Sequence, residues 1–201
     1  MINYILIKRL IDFFLSLLFI ILMFPILILF ILLIIIFDRH NPFFTQERSG
    51  LNGNPIKIFK LRSMKLSGYN NKITFFGSFM RKTKIDELPQ LINVIKNDMS
   101  LIGPRPLYLD FNKYYKDTDI NRLLIKPGIT GLAQIRVSDA TDWRRKFKYD
   151  TLYYRKINFN LDLFIIINTI KLIFKKIFFK KNVFIESINY RENFMNNYAK
   201  L

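Results

Sequence analysis

"IDFFLSLLFIILMFPILILFILLIIIF", residues 11–37, is apolar throughout except for Asp12, Ser16 and Pro25. At about 1.5 Å per residue a straight helix over this run reaches roughly 40 Å, enough to cross a hydrocarbon core of about 30 Å. A cleaved secretory leader needs small residues, and no alanine occurs before Ala133, so the run is expected to stay. Pro25 stands near its middle, where it removes one backbone hydrogen bond and clashes with the preceding turn. That predicts a break near Pro25 and a re-entrant segment that dips into the bilayer and returns. Lys8 and Arg9 precede the run and a still more basic stretch follows it, so both ends favour the cytoplasmic side. A kinked helix that spans is the alternative, since membrane helices tolerate proline.

Outward from this run, 201 residues allow an anchor over 1–40, one folded domain over 41–182 and a C-terminal tail over 183–201. The chain carries 32 Lys+Arg against 15 Asp+Glu, a net charge of +17, and is 51% hydrophobic. An anionic membrane surface satisfies both properties, because each nearby Lys or Arg gains about 1 kcal/mol there. Nucleic acid satisfies only the charge. The basic residues are interleaved with apolar ones rather than gathered into a soluble stripe, so no nucleic-acid partner is expected. The chain has no cysteine, which excludes disulfides, thiolate metal sites and cysteine nucleophiles. Its single histidine, His40, excludes a multi-histidine metal site and a Ser-His triad elsewhere in the chain.

"NPFFTQERSGLNGNPIKIFKLRSM", residues 41–64, carries a turn signal at "LNGN" followed by apolar residues at Ile56, Ile58 and Leu61, which predicts a short β-hairpin. Lys57, Lys60 and Arg62 fall among them and form either a basic face or a solvated one. Residues 66–73 read as a polar loop, and 107–124 and 142–156 as helical. "NLDLFIIINTIKLIFKKIFFKKN", residues 160–182, is apolar but carries Lys171, Lys175, Lys176, Lys180 and Lys181. Those charges suit a helix lying in the interface with its lysines reaching the headgroups; a buried core helix is the alternative. The expected fold is α+β, mainly α: a re-entrant membrane helix, a small β-hairpin and amphipathic interfacial helices around the active site.

That site is expected in "TKIDELPQLINVIKNDMSLIGPRP", residues 83–106. Leu88, Leu91, Ile92 and Ile95 have helical spacing, and Pro89 belongs in a first turn, so Asp86 and Glu87 lie at a helix N-terminus. Negative charge is favoured there, and an acidic cap is one sufficient explanation. The other is chemical. Flanked by Arg81, Lys82 and Lys84, Asp86 is expected to be ionised; it can attack phosphorus or help hold Mg²⁺ beside substrate phosphates. Pro104 and Pro106 pin Arg105 as a rigid fork for phosphate oxygens.

The motifs "KRLID", "FTQERSG", "FKLRSM", "IDELPQLINVIKNDMSLIGPRP", "KPGITGLAQI" and "LDL" occur in order between about Lys8 and Lys171. In them the chain resembles the monotopic phosphoglycosyl transferases, bacterial sugar transferases that start glycan assembly on undecaprenyl (polyprenyl) phosphate. The resemblance implies a ping-pong reaction at the cytoplasmic face of the bacterial inner membrane. Asp86 would be the nucleophile and a metal ligand, Glu87 its partner, and Mg²⁺ the cofactor. A UDP-sugar would lose UMP, and polyprenyl phosphate would take the phosphosugar. The substrate- and phosphate-binding set is then Lys60, Arg62, Arg81, Pro104, Arg105, Pro106 and Asp150, with Pro25 at the membrane break and downstream glycosyltransferases as further partners. A catalytically silent scaffold of a glycan assembly complex is the competing reading. Two positions depart from the family: Phe24-Pro25 stands where a Ser-Pro pair is common, and Ser138 where an arginine is, with Arg136 displaced from it.

Overall fold

The computed structural model describes residues 2–65, 72–139, 141–179 and 194–199. Helix α1 (Ile2–Leu33) is followed by a π-helical turn at Ile34–Asp38 that ends on Arg39 in the left-handed region. Pro25 lies inside α1, which does not separate into two helices there. This corrects the expected break: one hydrogen bond is lost at the proline, whereas opening the neighbouring turns would expose more backbone to an apolar surround. The buried side chains fall in two groups: Lys8, Asp12 and Ser16 in the N-terminal half of α1, then Phe30 near its C-terminus with Ile34 just beyond. Both groups touch the same body. Asp12 meets Ser100, while Phe30 and Ile34 pack with Leu61 and Met80.

The expected hairpin is present. Strands β1 (Phe43–Ser49) and β2 (Pro55–Leu61) pair antiparallel from Phe43↔Leu61 to Ser49↔Pro55, around a 3₁₀ turn at Leu51–Gly53. Within that turn Asn52 and Gly53 both take positive φ, the conformation that Asn-Gly supplies most cheaply. Residues 66–71 of the expected polar loop lie outside the described residues. Next to them β4 (Lys72–Ile73) pairs with β3 (Met64–Lys65), and Thr74 caps α2 (Phe75–Thr83) by accepting from Gly77 N.

A 3₁₀ turn (Ile85–Glu87) leads through Pro89 into α3 (Gln90–Ile95). The buried face of α3 is Gln90, Leu91, Asn93 and Val94, whereas Ile92 of the expected apolar face is exposed. Polar Asn93 takes a place in the buried face because β2 offers it partners. Asn93 Nδ2 donates to Lys57 O at 2.7 Å, and its Oδ1 accepts from Phe59 N at 3.1 Å.

Strand β5 (Ser100–Ile102) pairs in parallel with β6 (Gly128–Thr130). Their backbones are so close that a Cβ on Gly128 would stand 2.0 Å from Gly103 N; only glycine fits. The stretch 107–124 is not a continuous helix but two 3₁₀ segments, Leu109–Tyr114 and Asp117–Leu123. Asp, Asn and Thr side chains in it compete with helical backbone bonds. Short α4 (Leu132–Arg136) precedes α5 (Trp143–Lys156) and α6 (Phe159–Phe178). Asp142 and Asn158 cap the last two, accepting from Arg145 N and Leu161 N.

Helix α6 buries only Asp162 and Ile165 and exposes Phe159, Leu163, Ile167, Ile170, Phe174 and Phe178. It is therefore not a buried core helix. Within the expected tail, residues 183–193 lie outside the described residues. Phe194 and Tyr198 are docked in an aromatic core with Phe111, Trp143 and Phe147.

Candidate active site

Lys84, at φ 67°, turns the chain out of α2 and into the 3₁₀ turn that holds Asp86 and Glu87. Both carboxylates are buried, and their environments differ. Glu87 Oε1 meets Lys60 Nζ at 3.4 Å and Arg105 Nη2 at 3.2 Å, and Oε2 meets Lys84 Nζ at 3.3 Å. Burial alone would raise its pKa; Lys84, Arg105 and Lys60 overcome that and hold it well below the usual range. For Asp86, burial and then the Glu87 charge raise the pKa to about 6, against the pull of Lys84, Lys60 and Arg81. The expected ionisation survives at neutral pH, but the cations pair with Glu87 rather than with Asp86. Asp86 Oδ1 is buried with no hydrogen-bond partner.

An open cleft of about 440 Å³ lies against Glu87, with Arg48, Lys60, Gln90, Arg105 and Tyr108 among its other lining residues; Asp86, its neighbour in the chain, lies outside that lining. The Arg48 guanidinium lies 3.5 Å over the centre of the Tyr108 ring. Burial pulls the Lys60 ammonium down. Arg48, Lys60 and Arg105 against the one lining carboxylate, Glu87, leave a net positive cleft, suited to a polyanion such as a diphosphate.

Of the other sequence candidates, Arg81 donates Nε to Ser63 Oγ at 2.8 Å and acts on Asp86 through its charge. The Pro104 carbonyl accepts from Gly128 N at 2.9 Å, and Pro106 lines the cleft. Arg62 donates Nη2 to Phe43 O at 3.5 Å, and its Nε is buried without a hydrogen-bond partner. Asp150 is buried and reaches the site indirectly. It accepts from Arg122 Nε at 3.1 Å, while Arg122 Nη2 donates to Arg105 O at 2.7 Å. Arg136, displaced from the family position, lies over the Phe164 ring.

Sequence reasoning did not single out Arg48, Gln90, Tyr108 or Arg122. Arg48 sat inside a quoted motif and Tyr108 two residues beyond "PRP"; Arg122 had no local signal. Among the described residues no cluster of three or more Asp, Glu or His could hold a metal on its own. Mg²⁺ needs less, since one or two carboxylates plus substrate phosphates suffice. The orphaned Asp86 Oδ1 fits that donor set.

The chain matches the bacterial sugar transferase family over residues 3–176. It is 42% identical over 137 residues to the uncharacterized sugar transferase EpsL of Bacillus subtilis (strain 168), covering 64% of this chain and 68% of that protein. A UDP-glucose:undecaprenyl-phosphate glucose-1-phosphate transferase of Klebsiella pneumoniae is 36% identical over 181 residues, 81% of this chain. A UDP-N-acetylgalactosamine-undecaprenyl-phosphate N-acetylgalactosaminephosphotransferase of Aeromonas hydrophila is 34% identical over 187 residues, 85% of this chain. The matched regions span only 39% and 44% of those two longer relatives.

Proposed function

The chain belongs to the bacterial sugar transferase family, and we propose that it transfers a sugar-1-phosphate from a UDP-sugar to undecaprenyl phosphate in two displacements at Asp86. The observation that carries this is the division of labour in the acid pair. Glu87 gathers Lys60, Lys84 and Arg105, which leaves Asp86 Oδ1 buried and unpartnered. A carboxylate oxygen without hydrogen bonds keeps its lone pairs for attack.

In the first step an Asp86 oxygen bonds to the sugar-linked phosphorus. The phosphoanhydride bond breaks, and UMP leaves with the bridging oxygen and its electron pair. In the second, an oxygen of undecaprenyl phosphate attacks the same phosphorus, and the aspartyl C–O–P linkage opens at phosphorus to regenerate the carboxylate. Arg105, Lys60 and Arg48 bind and orient the diphosphate. Asp86 would hold Mg²⁺, which supplies charge neutralisation on the substrate phosphates.

A monotopic anchor at the cytoplasmic face of an anionic inner membrane completes the reading. Its support is that α1 touches the folded body through Lys8, Asp12 and Ser16 and again through Phe30 and Ile34, just past its end, while no residue between Ser16 and Phe30 is buried. The apolar face of α6 suits the same interface, from which downstream glycosyltransferases would draw the product. The relatives are named for glucose and N-acetylgalactosamine, and a donor panel distinguishes between such sugars.

The test incubates the membrane-embedded protein with a panel of UDP-sugars and Mg²⁺ and measures UMP, with and without undecaprenyl phosphate. A phosphosugar adduct on the Asp86 peptide by mass spectrometry, absent in Asp86→Asn, is the expected result. Near-normal UMP release by Asp86→Asn overturns the assignment.

A further inference from the structure

The "KRLID" motif has no part in the chemistry above, yet its side chains are bound into the folded body. Arg9 donates through Nη1 to Val94 O at 2.5 Å and through Nη2 to Ile95 O at 2.8 Å. These are carbonyls of the last turn of α3, where helical pairing runs out; Val94 O also accepts from Asn97 N at 3.0 Å, so the Arg9 fork adds a second donor there and ties Val94 and Ile95 together. Side chains commonly cap such carbonyls from close by in sequence; here the cap comes from 85 residues away, on the membrane helix.

Upstream of that cap the backbone is hydrogen-bonded turn by turn: Glu87 N to Lys84 O, Leu88 N to Ile85 O, Leu91 N to Leu88 O, Ile92 N to Pro89 O and Lys96 N to Ile92 O. The acid pair and the capped carbonyls are thus two ends of one short rod. The next turn of α1 holds the start of the strand that leads to Arg105. Asp12 Oδ2 accepts from Ser100 Oγ at 2.6 Å, and Lys8 bridges Asp12 at 3.6 Å and Asp162 at 2.8 Å. Ser100 opens β5, which runs directly into Gly103–Pro104–Arg105.

We infer that Arg9 is a positioning residue for the proposed transfer: its fork on the α3 C-terminus fixes the acid pair relative to the β5 loop that carries Arg105. The inference rests on the Asp86 reading for its catalytic consequence but not for its structural one. It also separates two roles for the same cation. A headgroup anchor acts through charge near the bilayer, and lysine serves as well as arginine. A two-carbonyl cap needs the planar fork, which lysine replaces only in part.

The experiment compares wild type, Arg9→Ala and Arg9→Lys in vesicles of phosphatidylglycerol and phosphatidylethanolamine. It reads UMP release, the fraction of protein in the vesicles, and hydrogen exchange of the amides over 84–99. Arg9→Ala is expected to stay in the vesicles, lose protection over 90–99, and lower kcat by about tenfold or more with KM for the UDP-sugar within about twofold. Arg9→Lys should recover part of both. Unchanged exchange and kcat in Arg9→Ala overturn the proposal, as does a loss of activity that tracks only loss from the vesicles, or full rescue by lysine. If Arg9→Ala does not fold, Arg9→Lys carries the test, with intermediate exchange protection expected and wild-type protection overturning it. Should the wild type release no UMP with any donor, the Asp86 reading fails while the exchange data still decide the cap.

Discussion

Asp86 and Glu87 are adjacent carboxylates with opposite electrostatics, and the difference comes from residues far off in sequence. Lys60 lies on β2 and Arg105 beyond β5, and both turn to Glu87. "IDELP" could place the pair at a helix entrance but could not say which member collects the cations. A raised pKa on a group that reacts as its anion has a definite sign: the rate is full above the pKa and falls as Asp86 protonates. The donor half-reaction should therefore lose activity as pH drops through about 6, measured as kcat/KM for UMP release. Glu87→Gln removes the negative neighbour that helps raise Asp86 and frees Lys60, Lys84 and Arg105 to pair with it. The acid limb should move below that of the wild type while the plateau falls on the order of tenfold to a hundredfold. An unmoved limb in the pH–rate profile would show that Glu87 does not set the Asp86 ionisation.

Elements with strong local patterns were legible: the apolar run of α1, the hairpin around "LNGN", the capped α5, and α6 with its lysines. The parallel β5–β6 pair was not, because each strand has three residues and the partners are separated by the whole 103–127 stretch. Its signal lay instead in Gly103 and Gly128, whose missing side chains permit the contact. The stretch 107–124 breaks into 3₁₀ segments because its Asp, Asn and Thr side chains compete for the backbone bonds that would continue a helix. Phe194 belongs to the part of the tail that packs: it stacks on Phe111 at 3.8 Å between centroids and meets Trp143 edge-on at 5.1 Å. Phe194→Ala should cost about 3–5 kcal/mol and lower the melting temperature on the order of 10 °C. Thermal unfolding in detergent checks this, and a shift of only a degree or two would mean that the tail adds little to the core.

For the whole molecule, the proposal turns on whether both ends of α1 lie on the same side of the bilayer. Labelling in intact cells can test it, because the chain has no cysteine of its own. Cysteines placed separately at Asn3 and Asn41 should both resist an impermeant reagent applied outside; labelling at Asn3 with protection at Asn41 would mean that α1 spans. The apolar face of α6 has a kinetic consequence of its own. In the proposed reading this helix of 20 residues, about 30 Å long, with Phe159, Leu163, Ile167, Ile170, Phe174 and Phe178 exposed, would keep the cleft at a fixed height on a two-dimensional sheet. One substrate then arrives from a volume and is counted in moles per litre, whereas the other diffuses in an area and is counted per lipid. Adding inert phospholipid at constant bulk undecaprenyl phosphate should slow the second displacement in proportion to surface dilution, while donor cleavage keeps its rate.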